Sequence, residues 1–144
     1  MAIKGGVNHV TLRVQDLLRS EEFYSGLLGL TRVGERPGMH FYSSGHYNHE
    51  LALLEDPDMT AVDIKRGGLV HIGFNIENKS ALEALYKKLS ELDYPVSAGV
   101  DHTIAQSFYT RDPDSYVIEL TTDCPRKEWE SNPESFMKDT MFEF

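Results

Sequence analysis

Two stretches of this chain decide its fold, because they are versions of one sequence unit. Residues 7–16 read VNHVTLRVQD, and residues 69–78 read LVHIGFNIEN. Each stretch alternates apolar and polar side chains, has a histidine at its third position and closes on Asp or Asn. Such alternation predicts a half-buried β-strand. The two histidines, His9 and His71, therefore occupy equivalent places in two copies of one module.

The repeat continues beyond these two strands. Four further pairs match, the first two at the same offset of 62 residues and the others after small insertions. They are Tyr24 with Tyr86, Leu27 with Leu89, Phe41 with Phe108, and Glu50 with Glu119. A duplicated unit with a histidine on its first strand and a glutamate on its last can bring these side chains together across a pseudo-twofold axis.

Each half reads as a strand, a helix and three further strands. The first half predicts a strand over 6–14, a helix from the Asp16 cap to about Leu28, and strands near 31–36, 38–44 and 47–54. The second half predicts a strand over 69–76, a helix over 79–92 capped by Asn78, and strands near 95–99, 104–111 and 115–122.

This order predicts an α+β fold in which two βαβββ modules form a half-barrel around a metal cavity. We expect one domain over residues 1–144, with module 1 at 5–56, a linker at 57–67, module 2 at 68–123 and a C-terminal tail at 124–144. The tail is polar but carries Trp129, Phe136 and Phe142. These aromatic residues favour packing on the body or on a second subunit; disorder is the alternative.

Composition excludes several functional classes. The net charge of −9 argues against a nucleic-acid surface, which needs clustered Lys and Arg. No apolar stretch approaches the roughly 18 residues of a membrane span, and the N-terminus lacks the apolar core of a secretory signal. The single Cys124 excludes an internal disulfide. We therefore expect a cytoplasmic protein with a small-molecule substrate and no membrane or nucleic-acid partner.

Three side chains stand out as candidate metal ligands: His9, His71 and Glu119. Two imidazoles and one carboxylate form the facial set that holds a divalent metal and leaves coordination positions open, as in non-haem Fe(II) oxygenases. The repeat strengthens the prediction, because it assigns each residue to an equivalent strand. The alternative is that both histidines are buried strand residues bonded to the backbone.

The chain resembles the vicinal oxygen chelate superfamily, which includes glyoxalase I, type I extradiol dioxygenases, fosfomycin-resistance proteins and bleomycin-binding proteins. The matching stretches are HVTLRVQDL at 9–17, Phe23-Tyr24 with LLGL at 27–30, HIGF at 71–74, and YTRDPDSYVIEL at 109–120. The likeness is greatest to extradiol (catechol-type) dioxygenases, and it implies Fe(II), O2, a catechol-type substrate and a homodimer.

The resemblance also implies a role for each site residue. His9, His71 and Glu119 match the iron ligands. The implied catalytic residues are His49 as a base, and His102 and Tyr109 as hydrogen-bond partners of the substrate oxygens. Two turns depart from the family pattern, because Thr103 and Ser115 stand where glycine is usual.

Other readings of the same residues stay open. Glu50 is the repeat counterpart of Glu119, and in glyoxalase-type isomerases or epimerases a carboxylate there is a fourth ligand to Ni, Zn, Co or Mn. A regular strand would turn His49 to the helix-covered side and Glu50 inward. A drug-binding or resistance protein and thiol transfer to fosfomycin are further alternatives. His40 and His46, in a polar stretch, are expected to be solvated.

Overall fold

The computed structural model describes residues 6–130 and 139–144; the predicted tail residue Phe136 lies outside them. The chain forms two compact units, Met1–Ala61 and Val62–Phe144. The boundary falls within the stretch 57–67 that the sequence reads as a linker. Among the described residues, no helix is both long and apolar enough to cross a membrane.

The first unit has the predicted strand–helix–three-strand order. Its elements are β1 (Val10–Val14), α1 (Leu17–Glu21) running into a π-helical stretch (Glu22–Leu27), β2 (Thr31–Arg36), β3 (Met39–Ser43) and β4 (Leu51–Glu55). Asp16 caps α1 as expected, because its carboxylate accepts a hydrogen bond of 2.9 Å from the backbone N–H of Arg19. β1 begins after His9, so the predicted strand is too long at its start.

The described strands of this unit lie in the order β1-β4-β3-β2, with β1 and β4 parallel. One face is covered by the helix and is closed by buried side chains that include Leu12, Phe23, Tyr42, Leu51 and Leu53. The opposite face, which α1 does not cover, carries alternate residues of the same strands. We call it the open face of the first sheet.

The second unit repeats the plan and extends it. Its elements are β5 (Ile72–Asn75), α2 (Lys79–Glu91), β6 (Gly99–Asp101), β7 (Ala105–Arg111), β8 (Val117–Asp123), α3 (Arg126–Glu130) and β9 (Thr140–Phe142). The described strands lie in the order β5-β8-β7-β6-β9, and β5 runs parallel to β8. Leu82, Leu89, Phe108, Ile118 and Leu120 are buried between α2 and the sheet. The α+β class and the two βαβββ modules are therefore confirmed.

The end of the tail packs on the body of the second unit. β9 pairs antiparallel with β6, matching Gly99 with Phe142. A Cβ added to Gly99 would lie 2.5 Å from the Phe142 ring, so the absence of a side chain there admits the strand. Phe144 stacks on Tyr86 at a centroid distance of 4.4 Å and meets Phe108 edge-on. The sequence left open whether the tail packs or is disordered; residues 140–144 pack on the body of the second unit.

Both turns that depart from the family pattern keep the backbone conformation that glycine favours. Thr103 has φ 70° and Ser115 has φ 73°. At the second turn the Ser115 N–H donates to the Asp112 carbonyl, and Asp112 Oδ1 accepts from the N–H groups of Asp114 and Tyr116. These bonds hold the hairpin against the left-handed strain of a non-glycine residue.

We predict that Ser115→Gly raises the free energy of unfolding by about 0.5–1 kcal/mol, because glycine adopts this φ without strain while every backbone hydrogen bond is kept. The control is Ser80→Gly in α2, where glycine should lower stability by about 0.5 kcal/mol. Urea denaturation measures both. A loss of stability in Ser115→Gly would contradict the strain argument.

Candidate metal centre

The candidate site in the second unit is built around the carboxylate of Glu119. This residue lies on β8 between β5 and β7, paired with Gly73 on one side and Tyr109 on the other. Its neighbours Ile118 and Leu120 are buried towards α2, so strand alternation turns Glu119 to the opposite face of the sheet. Gly73 has no side chain to cover the carboxylate from the β5 side.

Three predicted site residues surround this carboxylate. Glu119 Oε2 is 3.2 Å from Nε2 of His71, and Oε1 accepts a hydrogen bond of 3.1 Å from the hydroxyl of Tyr109. Oε1 also lies 3.6 Å from Nε2 of His102. Burial and the charge of Glu119 raise the pKa of the Tyr109 phenol, so that group remains a hydrogen-bond donor at neutral pH.

His102 is held by contacts on both ring nitrogens. Nε2 lies 3.1 Å from Oγ of Ser107, and Nδ1 lies 2.7 Å from Oδ1 of Asp139. Asp139 comes from the C-terminal tail, directly before β9. Neither Ser107 nor Asp139 was predicted as a site residue. No repeat counterpart or motif marks Asp139, and its role becomes visible only when the tail is seen paired with β6.

The pair His71–Glu119 fits a metal ion. Two ligand atoms about 2.1 Å from one ion, at an angle between octahedral and tetrahedral, are separated by about 3.0–3.4 Å. The observed 3.2 Å between Nε2 and Oε2 lies in that interval. It also suits a hydrogen bond when Nε2 carries a proton. Within residues 6–130 and 139–144, no group of three or more His, Cys, Asp or Glu side chains could hold a metal ion, so the second unit supplies a two-donor pair.

The other two predicted histidines meet in the first unit. The rings of His9 and His49 have centroids 4.5 Å apart, and the ring of Phe41 lies 5.3 Å from that of His49. On β3, His40 and Tyr42 contact Glu21 of α1, so Phe41 between them points to the open face. His9 and His49 therefore share the open face of the first sheet.

The side chain of Glu50 binds the loop that precedes it. Its carboxylate accepts hydrogen bonds from the hydroxyl and N–H of Ser44 and from the N–H groups of His46 and Tyr47. Partial burial alone would raise the pKa of Glu50, but these hydrogen bonds stabilise the ionised carboxylate and lower the pKa to about 2. The carboxylate is a structural anchor of the turn at 44–47.

The argument from a regular strand, which turned His49 towards the helix, is wrong. β4 begins at Leu51, and residue 50 lies in a bend. Side-chain alternation therefore does not extend back to His49, whose ring lies with that of Phe41 on the open face.

The expectation that His40 is solvated is also wrong. Its side chain is 13% exposed, with Nδ1 3.3 Å from the carboxylate of Glu21 and 3.2 Å from the hydroxyl of Tyr42. The reason is that β3 alternates, which turns His40 to the helix-covered face, where Glu21 provides an acidic partner. His46 is exposed, as expected.

A hollow of about 240 Å³ lies beside Tyr109, whose hydroxyl donates to Glu119. It is lined by Pro95, Val96, Ser97, Tyr109, Thr110, Arg111 and Val117. The hollow is smaller than the roughly 300–1,000 Å³ of pockets that take drug-sized ligands.

Comparison with known proteins identifies the family. The family model described as "Glyoxalase/Bleomycin resistance protein/Dioxygenase superfamily" matches residues 6–120. The chain belongs to this superfamily. Its members typically bind divalent metals, which agrees with the donor pair at Glu119.

Individual relatives point to two chemistries. The chain is 27% identical over 128 residues to biphenyl-2,3-diol 1,2-dioxygenase 3 of Rhodococcus globerulus, covering 85% of this chain and 66% of the relative. It is 30% identical over 122 residues to metallothiol transferase FosB of Shouchella clausii (strain KSM-K16), covering 81% and 80%. A solved glyoxalase/dioxygenase from Nostoc punctiforme shares the fold, with a TM-score of 0.69, 20% identity, and coverage of 83% of this chain and 92% of that one.

We predict that Glu50→Gln lowers the free energy of unfolding at pH 7 by about 1–2 kcal/mol, because the neutral amide accepts the loop hydrogen bonds less strongly. The pKa of Glu50 is about 2 in the folded chain and about 4.3 when unfolded. Its stabilising contribution is therefore complete above about pH 4.3 and is lost as the pH falls towards 2.

The difference between wild type and Glu50→Gln should thus shrink as the pH falls from about 4.3 towards 2, as followed by urea denaturation at each pH. Exposed Glu77→Gln is the control and should show little difference at any pH. A pH-independent difference for Glu50→Gln would show that the charge of this carboxylate is not what the loop binds.

Proposed function

We propose that this chain is a metal-dependent dioxygenase that uses Fe(II) and O2 to cleave the ring of a catechol-type aromatic diol. The observation that carries the proposal is the grouping at Glu119. One carboxylate has a candidate metal ligand, His71, on one oxygen. Its other oxygen accepts a hydrogen bond from the Tyr109 hydroxyl and lies 3.6 Å from the His102 ring.

We assign His71, Glu119 and His9 as the metal ligands. The first two are assigned from their separation, and His9 from its equivalence to His71 in the repeat. A set of two imidazoles and one carboxylate suits Fe(II) and leaves positions for a diol and O2. When bound, the iron would polarise the diol and pass electron density from it to O2.

The side chains of this chain would bind the diol and move its protons. His49, beside His9, is assigned as the base that takes a proton from a diol hydroxyl. Tyr109 and His102 would hold the substrate oxygens through directed hydrogen bonds. Both atoms of O2 enter the product as one ring C–C bond breaks, so the reaction needs no external reductant.

A second candidate is thiol transfer to fosfomycin, which is favoured by the 30% identity to FosB over 80% of that protein's length. The histidine and glutamate ligands alone do not separate the two reactions. His49 and His102, which offer proton acceptors near the metal ligands, favour the dioxygenase. A four-ligand glyoxalase-type site has less support, because the carboxylate of Glu50 is engaged by the loop at 44–47.

The test of function uses protein purified without oxygen and loaded with Fe(II). A panel of catechols is added with O2, and oxygen uptake is measured together with the absorbance of the ring-fission product. We expect one O2 consumed for each diol cleaved. Absence of oxygen uptake in iron-loaded protein, together with thiol consumption when fosfomycin is supplied, would replace the proposal with the second candidate.

For the metal ligands, we predict that His71→Ala lowers the affinity for iron by about 10- to 100-fold or more. Loss of a residue that only hydrogen-bonds to a metal ligand already costs that much, and His71 is proposed to bind the metal directly. His46→Ala is the control, because His46 is an exposed histidine whose backbone N–H contact with Glu50 survives the substitution. Iron per chain is measured after anaerobic gel filtration, and unfolding midpoints check that both variants fold. Full iron retention in His71→Ala would remove this residue from the ligand set.

A further inference from the structure

We propose that Asp139, delivered by the C-terminal strand, is a positioning residue that orients the His102 ring and keeps its proton on Nδ1. The inference rests on the proposed function for its catalytic meaning, since His102 is assigned there to a substrate oxygen. The arrangement itself rests on contacts within the second unit.

The strand register brings the two residues together. β6 and β9 pair antiparallel, with Gly99 opposite Phe142 and Asp101 opposite Thr140. Continuing that register by one position sets His102 opposite Asp139. The side chains meet there, with Nδ1 2.7 Å from Oδ1. Such a short separation is typical of a charge-assisted hydrogen bond.

The chemistry of the pair decides where the ring proton lies. An ionised carboxylate can only accept hydrogen bonds, so Nδ1 of His102 must be the donor. In the neutral ring the other nitrogen, Nε2, then carries a lone pair. Nε2 lies 3.1 Å from the hydroxyl of Ser107 and 3.6 Å from Glu119 Oε1. Asp139 thus turns a proton acceptor towards the carboxylate proposed to bind the metal.

The tail is anchored so that this contact can be held. Phe144 stacks on Tyr86 of α2, and Phe142 packs against Phe144 with ring centroids 4.8 Å apart. Gly99 leaves room for the Phe142 ring, and the Lys79 ammonium lies 5.9 Å from the centre of the same ring. The aromatic contacts fix β9, and β9 fixes the carboxylate at its N-terminal end. A segment outside the βαβββ repeat therefore acts on the site inside it.

The test compares Asp139→Ala, Asp139→Glu and a control, Glu143→Ala, which removes an exposed carboxylate from the same tail. The first readout is the ¹⁵N NMR spectrum of the histidine rings in the full-length chain without added metal. It is recorded at about pH 9, well above the ordinary histidine pKa of about 6.5. His102→Gln identifies the signals. The second readout is diol cleavage by the iron-loaded protein.

We expect the His102 proton on Nδ1 in wild type and in Glu143→Ala, and a shift of that proton to Nε2 in Asp139→Ala. Diol cleavage (kcat/KM) should fall about 10- to 100-fold in Asp139→Ala, recover in large part in Asp139→Glu, and change less than about twofold in Glu143→Ala. Unfolding midpoints should stay close to wild type, which separates positioning from structural damage.

Two results would overturn the positioning role: an unchanged His102 proton in Asp139→Ala, or an equal kinetic loss in Glu143→Ala. The NMR readout needs no substrate, so it separates this inference from the proposed function. If the proton moves but no variant cleaves a diol, Asp139 positions His102 and the proposed reaction is wrong. If diols are cleaved and the proton stays on Nδ1, the reaction stands and the role of Asp139 is refuted.

Discussion

The parallel pairing of the first and last strands of each βαβββ module, β1 with β4 and β5 with β8, is the constraint on which the candidate site depends. In the second unit it sets Gly73 of β5 beside Glu119 of β8, which leaves the carboxylate 3.2 Å from the His71 ring. The same pairing in the first unit brings the rings of His9 and His49 within 4.5 Å. Side chains far apart in sequence become neighbours because each module returns to pair its last strand with its first.

The two copies of the repeat have diverged in their use of this pairing. Val10 pairs with Leu51, and its repeat counterpart Ile72 pairs with Ile118, whereas the repeat aligns Leu51 with Leu120. The registers therefore differ by two residues, an even shift that keeps each strand's faces. Glu119 lies within a regular strand beside His71. Glu50 precedes its strand and binds the 44–47 loop, so the two repeat-equivalent carboxylates have different partners.

The features that could be predicted from sequence are those set by local patterns. Alternation and helix capping gave the strand–helix–three-strand order, and both predicted caps, Asp16 and Asn78, bond to the backbone three residues ahead. His71, His102 and Tyr109 could be predicted around Glu119 because the repeat and the family motif assign them to neighbouring strands.

The features that could not be predicted depend on contacts between distant segments. His40 was expected to be solvated because the residues around it in the sequence give no sign that Glu21 of α1 is its partner. The direction of the Glu50 side chain depends on where β4 begins, and the ends of strands are poorly marked in sequence. Asp139 lies in a polar tail with no repeat counterpart, and only the pairing of β9 with β6 brings it to His102.

The most direct test of the central claim is a crystal structure of the full chain loaded anaerobically with Fe(II), with anomalous differences recorded at the iron edge. The account predicts one iron peak bonded to Nε2 of His71 and to the Glu119 carboxylate, at about 2.0–2.2 Å from each. An iron peak bonded to other side chains, or an ordered His71–Glu119 pair with no iron in crystals that contain iron elsewhere, would contradict it.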